Sequence, residues 1–164
     1  MIAGQKLEKH AIYRDELMLQ VAHQLKNVES IEDAKRITGM VLRAIRNRLN
    51  FENSLRFLNL LPLPLKAIYV DGWTLRDNTP HVLETTQDLV NEMTRSQNLF
   101  SPTQRDIENA MEAIQAIFRV ISLHISRHEL EMMLELMSPT LKQELENKSY
   151  HFSNDSPDTS VWLS

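Results

Sequence analysis

Leu60-Leu61-Pro62-Leu63-Pro64-Leu65-Lys66-Ala67-Ile68-Tyr69, continued by Val70-Asp71-Gly72-Trp73, is the stretch from which the fold can be read. It reads as a helix end, a proline-marked corner and a short helix carrying Leu65, Ile68 and Tyr69. Pro62 and Pro64 forbid an uninterrupted helix, because each removes an amide donor and restricts the residue before it. Asp71-Gly72 closes the unit, with Gly72 free to take a positive φ. Trp73 is expected to fold back onto the apolar surface. A fainter version, Leu136-Met137-Ser138-Pro139-Thr140-Leu141-Lys142-Gln143-Glu144-Leu145, recurs downstream.

Working back from the corner, Phe51, Leu55, Leu58 and Leu61 set out a helix that starts after Asn50. Before it, Ala34, Ile37, Val41, Leu42, Ile45 and Leu49 repeat at helical spacing and form one apolar stripe. Ser30 followed by Asp33 is a helix-start signal, since an acid at the third position meets free amide donors. Gly39 inside this helix suggests a close helix contact. Leu17, Met18, Val21 and Leu25 mark a first helix from about Asp15, preceded by a loose arm over residues 1–12.

Working forward, residues 74–80 read as a boundary, and a helix follows from His81 to about Thr94. Ser101-Pro102 marks the start of a long helix to about Ile125 that carries Ile107, Ala110, Met111, Ile114, Ile117, Phe118 and Ile121. Ser126 with Glu129 is a capping-box pattern for the next helix, which carries Leu130, Met133, Leu134 and Met137. After the Ser138-Pro139 corner come Leu141 and Leu145. Residues 149–164 are rich in Ser, Asn, Asp and Pro and read as a mobile tail, in which Trp162 is the unexpected residue.

Displacing the chain by 76 residues pairs Leu42 with Phe118, Ile45 with Ile121, Leu58 with Leu134, Leu61 with Met137 and Leu65-Lys66 with Leu141-Lys142. The expectation is an all-α, compact multi-helix bundle over residues 1–148. It would contain two tandem pseudo-repeats, about 13–73 and 81–148, of three to four helices each, with HEAT-like or orthogonal packing.

The leucine-rich helix, the Leu-Pro corner and the Tyr69-Val70-Asp71-Gly72-Trp73 ending resemble a duplicated all-helical family catalogued as domain of unknown function 2267. The resemblance runs over Ala34–Leu49, Leu55–Leu65, Tyr69, Gly72 and Trp73, and more faintly over Ala110–Leu145. The chain departs from the family pattern in its additional Pro64 and in Met137-Ser138-Pro139. What the resemblance implies is a fold, and no activity.

Composition narrows the function classes. With no cysteine, disulfides, a cysteine nucleophile and thiolate metal sites are excluded, and a reducing cytoplasm is the expected compartment. Three glycines do not suffice for a dinucleotide fingerprint or a phosphate-cradling loop. No apolar run is long enough for a membrane span. Residues 1–79 hold 12 Lys and Arg against 9 Asp and Glu, whereas residues 80–164 hold 6 against 13. The two halves therefore carry opposite charge, within a net charge of -4 that argues against a nucleic-acid binder.

The polar groups that invite chemistry are few. His124 and His128 are spaced for one helical face, but the break at Ser126 separates them, and Glu129 and Glu131 complete no ligand set. Glu108 with Glu112, and Glu131 with Glu135, sit where a solvated helix face is expected, without the Glu-x-x-His signature of a di-metal bundle. No catalytic residue, cofactor site or metal site is assigned. Lys35, Arg36, Arg43 and Arg46, with Arg48 and Arg56 nearby, form a basic stripe suited to ion pairs or to a protein partner. Phe51, Phe57, Tyr69 and Trp73 are expected to be core aromatics. The leading expectation is a non-enzymatic module for protein interaction or self-association, with Arg36, Arg43 and Arg46 meeting an acidic surface such as the second half of another copy. The alternative is an apolar-ligand or lipid-binding bundle in which Met132, Met133 and Met137 line an adaptable pocket.

Overall fold

A computed structural model describes residues 2–26, 28, 30–74, 84–97 and 102–153. Among these the chain forms eight helices and no strand: α1 (Ile2–Gln24), α2 (Ile31–Arg48), α3 (Phe51–Leu60), α4 (Leu63–Val70), α5 (Thr86–Ser96), α6 (Gln104–His124), α7 (Arg127–Glu135) and α8 (Pro139–Ser153). The all-α expectation holds.

Local chemistry sets most of the boundaries. Ser30 accepts the Asp33 amide at the start of α2, and Asn50 accepts the Asn53 amide at the start of α3. Capping boxes open α5 (Thr85 with Asp88), α6 (Thr103 with Asp106) and α7 (Ser126 with Glu129). Three expected starts are corrected, those of α5 and α6 by these caps. α1 already runs from Ile2, so the expected loose arm is helical. α5 begins at Thr86 rather than His81, because Thr85 and Asp88 supply the cap; residues 75–83 lie outside the described residues. α6 begins after Thr103 rather than after Ser101-Pro102, for the same reason. At the other end α8 runs to Ser153, so the polar tail starts later than expected, and Trp162 lies outside the described residues.

The Leu-Pro corner also resolves differently in detail. Pro62 is the cap of α4, its carbonyl accepts the amides of Leu65 and Lys66 at 2.9 and 3.2 Å, and Pro64 falls in the first turn. A proline there sacrifices no helical hydrogen bond, so α4 starts at Leu63 and only Pro62 marks the corner. Gly72 has φ 64°, as its position after the helix requires.

The core is built on α2 and α6, which touch each other. α1 packs on both of them and so does α5; α4 packs on α1, α2 and α3, as α8 packs on α5, α6 and α7; α3 meets α7. Exchanging α1–α4 with α5–α8 returns the same contacts, the pairing of α6 with α7 aside. The helix ends follow the same correspondence. α2 ends at Arg48 and α6 at His124, α3 begins at Phe51 and α7 at Arg127, α4 begins at Leu63 and α8 at Pro139, an offset of 76 residues each time.

Leu17, Met18, Leu42, Ile45, Leu65, Leu89, Ile114, Ile117 and Ile121 are fully buried, together with Phe57, Tyr69 and Met133. On α3 the buried face is Ser54 and Phe57, with Leu61 just beyond, while Phe51 is 55% exposed and Leu55 39%. That rotates the expected stripe. Ser54 is accommodated in the core because its hydroxyl meets the Tyr69 hydroxyl at 2.6 Å, which removes the cost of burying it.

Candidate functional site

The aromatic ending closes the core and leaves no open cage. Tyr69 lies between Phe57, tilted against it with ring centroids 5.4 Å apart, and Trp73, edge-on at 6.0 Å, and Trp73 lies 5.9 Å from Phe51. Burial pushes the Tyr69 hydroxyl up to about 12, against the opposing effects of Ser54 and Arg46, so it stays protonated. Arg46 completes the closure. It is only 8% exposed, and its guanidinium donates to the carbonyls of Tyr69 at 2.7 Å and Asp71 at 3.0 Å, with Trp73 6.0 Å away. Arg46 therefore does not belong to an exposed basic stripe. Arg48 does not either: it pairs at 3.0 Å with Glu92, a buried carboxylate of α5 that also accepts from Asn47 and Arg95.

Glu92 was not singled out in the sequence. The available signal is its place in Leu89-Val90-Asn91-Glu92-Met93, an acid beside the apolar face of a short helix. It joins the two halves, as does a cluster at the end of α6. His124 Nδ1 lies 3.1 Å from the Tyr13 hydroxyl and Nε2 lies 2.6 Å from Gln20 Oε1. Since Gln20 Oε1 can only accept, Nε2–H donates, and Nδ1 accepts from Tyr13 in the neutral imidazole. Burial holds the His124 pKa below its ordinary value, with Glu16 acting in the other direction. His128 is exposed on α7, beyond the break at Ile125 and Ser126, so the two histidines share no helix. Glu129 is consumed in capping, Glu131 pairs with Arg127, Glu112 with Lys26, and Glu108 accepts from Gln104. Among the described residues no group of three His, Asp or Glu side chains is placed to hold a metal ion. No helix among them is long and apolar enough to cross a membrane.

Lys35, Arg36 and Arg43 of the expected stripe stand with Arg14 around a depression of about 690 Å³ between α1, α2 and α4, whereas Arg56 pairs with Glu52 on α3. Its apolar floor is Gly39, Met40, Pro64, Ala67, Ile68 and Val70; Arg14, Lys35, Arg36 and Arg43 stand around it with Glu32 and Asp71. Gly39 keeps this floor low: a Cβ there would meet Arg43 and Ile68 at 3.7 Å, ordinary van der Waals contact rather than the close helix approach expected. Arg43 pairs with Asp71 at 3.5 Å and Arg36 with Asp33 at 3.7 Å, all four side chains being about half exposed or more. Exposed pairs of this kind contribute only ~0–1 kcal/mol, so an incoming carboxylate can replace either acid at little cost. Lys35 makes no ion pair among the described residues.

On the other flank of Arg36 and Met40 lies a second cavity of about 290 Å³, between α2, α5 and α6. Leu25, Ile37, Met40, Met93, Ala110 and Ala113 line it, below a rim that includes Asp33, Asp106 and Glu112. The methionines expected at a pocket are elsewhere. Met133 and Met137 are buried in the core, and Met132 is 43% exposed on α7.

The chain's residues 14–143 match a family model described as "Uncharacterized conserved protein (DUF2267)". No curated protein matches it.

Proposed function

The chain belongs to the DUF2267 family, and we propose that this member is a non-catalytic helical module that binds an acidic, partly apolar protein segment along the α1–α2–α4 groove. The observation that carries this reading is the groove itself, an apolar floor at Gly39, Met40 and Ile68 set among four cations and two acids. Apolar contact supplies affinity there, while the surrounding cations select acidic segments and reject basic ones. We read the two halves as copies of one unit, the first of which carries this basic groove; the reciprocal helix contacts and the common offset support that reading.

Selection from a random peptide display library on the purified chain tests it. Enriched peptides should combine Asp or Glu with two or three large apolar residues, and the joint substitutions Arg36→Glu and Arg43→Glu should abolish enrichment. Enrichment of basic peptides, or none at all, contradicts the reading.

The cavity lined by Met40 and Met93 favours a second reading, a site for a small apolar ligand, because methionine adapts to irregular shapes and the volume approaches that of small-molecule pockets. Thermal unfolding in the presence of a panel of short-chain alcohols and amines tests it. A rise in midpoint that Met93→Trp removes supports this second reading; an unchanged midpoint across the panel rejects it.

A further inference from the structure

We infer that the segment bound in the α1–α2–α4 groove is an amphipathic helix that places two acids seven residues apart, with apolar residues between them. This inference rests on the groove reading above and specifies the backbone form and spacing of the occupant. Arg36, Gly39, Met40 and Arg43 follow one another at intervals of three, one and three residues, so they form a single stripe along α2. Seven residues advance ~10.5 Å along a helix and come within ~20° of two full turns. Both guanidinium groups lean one turn back toward the start of α2. Arg36 meets Asp33 at 3.7 Å, and Arg43 Nη2 lies 3.7 Å from where a Cβ on Gly39 would stand. The offset between the two arginines is therefore kept at their tips, with the apolar floor between them.

The α4 wall repeats that spacing. Pro64, Ala67, Ile68 and Asp71 line the groove at intervals of three, one and three residues, and Leu63 and Val70 add exposed apolar surface on the same helix. An α-helix presents two carboxylates ~10.5 Å apart on one face when they are seven residues apart. An extended chain rises ~3.3 Å per residue, so three residues give the length but put the two side chains on opposite faces. Two or four residues keep the face and miss the length by ~3–4 Å. In the helical occupant the third and fourth residues after the first acid fall between the acids, over Gly39 and Met40, where apolar side chains bury surface. The protein's own Asp33 and Asp71 already meet Arg36 and Arg43 at 3.7 and 3.5 Å, so each guanidinium is placed to receive a carboxylate.

The test is fluorescence anisotropy of labelled peptides with the full chain. Two of them are alanine- and glutamine-based helices of identical composition, with circular dichroism establishing equal helicity. In the first, two glutamates stand seven positions apart with leucines at the third and fourth positions between them. In the second the glutamates stand five positions apart, which turns them ~140° away from each other around the helix. A third peptide alternates aspartate and leucine, the pattern of an extended chain. The first should bind about tenfold more tightly than the second, because the second engages only one of the two arginines at a time. Arg43→Glu, with unchanged thermal unfolding, should weaken the first peptide by a similar factor, and lysine in place of one of its two glutamates should restore binding to that variant. Equal affinities for the two helical peptides, tightest binding of the alternating one, or a loss in Arg43→Glu that lysine at neither position restores overturns the helical spacing and leaves the groove reading intact. Failure of all three peptides to bind overturns both.

Discussion

Arg46 in the last turn of α2 donates to the Tyr69 carbonyl of α4 at 2.7 Å, so the end of one helix holds the end of another just before the Gly72 turn. The side chain is buried, and its guanidinium supplies the carbonyls of Tyr69 and Asp71 with a donor. Arg46→Ala should lower stability by about 2–4 kcal/mol, and Arg46→Lys by less, since an ammonium retains one of the two bonds. Urea unfolding followed by circular dichroism measures both. Losses below about 0.5 kcal/mol for Arg46→Ala would show that the pairing contributes nothing.

Ser54 and Tyr69 satisfy each other in the core. Ser54→Ala or Tyr69→Phe alone leaves a buried hydroxyl unpaired and should cost about 1–3 kcal/mol. The double substitution removes both hydroxyls and should cost clearly less than the sum of the single changes. Additive losses in the double-mutant cycle would contradict the pairing.

Glu92 joins α5 to Arg48 at the end of α2, with the carboxylate buried and the Arg48 side chain 15% exposed. Glu92→Ala should destabilise by about 2–4 kcal/mol, because it strands a nearly buried cation; Glu92→Gln keeps acceptors for Asn47 and Arg48 and should cost less. Hydrogen exchange of the α5 amides should accelerate in Glu92→Ala before that of α2. A uniform change across both helices would mean that the pair does not join the halves.

The two internal glycines should respond oppositely to alanine. At Gly39 the helical backbone favours Ala and the new methyl meets only ordinary contacts, so Gly39→Ala should be neutral or stabilising by up to about 1 kcal/mol. At Gly72 there is open space, but φ 64° strains any L side chain, so Gly72→Ala should cost about 1–2 kcal/mol. Thermal melts of the pair decide this, and a stabilising Gly72→Ala would refute the turn geometry. Gly39→Ala should also weaken peptide binding by raising the groove floor.

His124 makes stability pH-dependent in a defined direction. Its folded pKa lies below the ordinary 6.5, so between those values the unfolded chain binds more protons than the folded one. Stability is therefore fully present above about pH 6.5 and is lost as pH falls from there through the folded pKa. Urea midpoints from pH 7.5 to 5 should decline, and His124→Gln should flatten that decline. A midpoint that rises on acidification would contradict the neutral imidazole bridging Tyr13 and Gln20.

The helices were legible because the apolar residues of α2 and α6 recur with a helical period, and because caps such as Ser30 with Asp33 and Ser126 with Glu129 are local. The start of α6 was misread because two cap signals lie close together and the reciprocal Thr103–Asp106 box prevails over Ser101-Pro102, whereas for α5 the Thr85–Asp88 box lies past the boundary after which the helix was expected to start. Arg46 was misplaced by its chemistry, although its register was informative. Four residues after Leu42 it sits only ~40° around the helix from a core position, inside the apolar face. Ser54 was overlooked for the same reason, since its partner Tyr69 is fifteen residues away and only the fold brings them together. The groove was half legible: Arg36 and Arg43 stood out, but the floor contributed by α4 depends on how that helix packs against Gly39.

The most direct test of the groove is a two-dimensional amide NMR titration of the isotopically labelled chain with a synthetic peptide of alternating aspartate and leucine ending in one tryptophan. The account predicts that shifts cluster at Lys35, Gly39, Met40, Arg43, Ala67, Ile68 and Asp71, and that Arg36→Glu with Arg43→Glu removes them. Shifts centred instead on the α3–α7 face around Leu55 and Met132, or no shifts at saturating peptide, would contradict it.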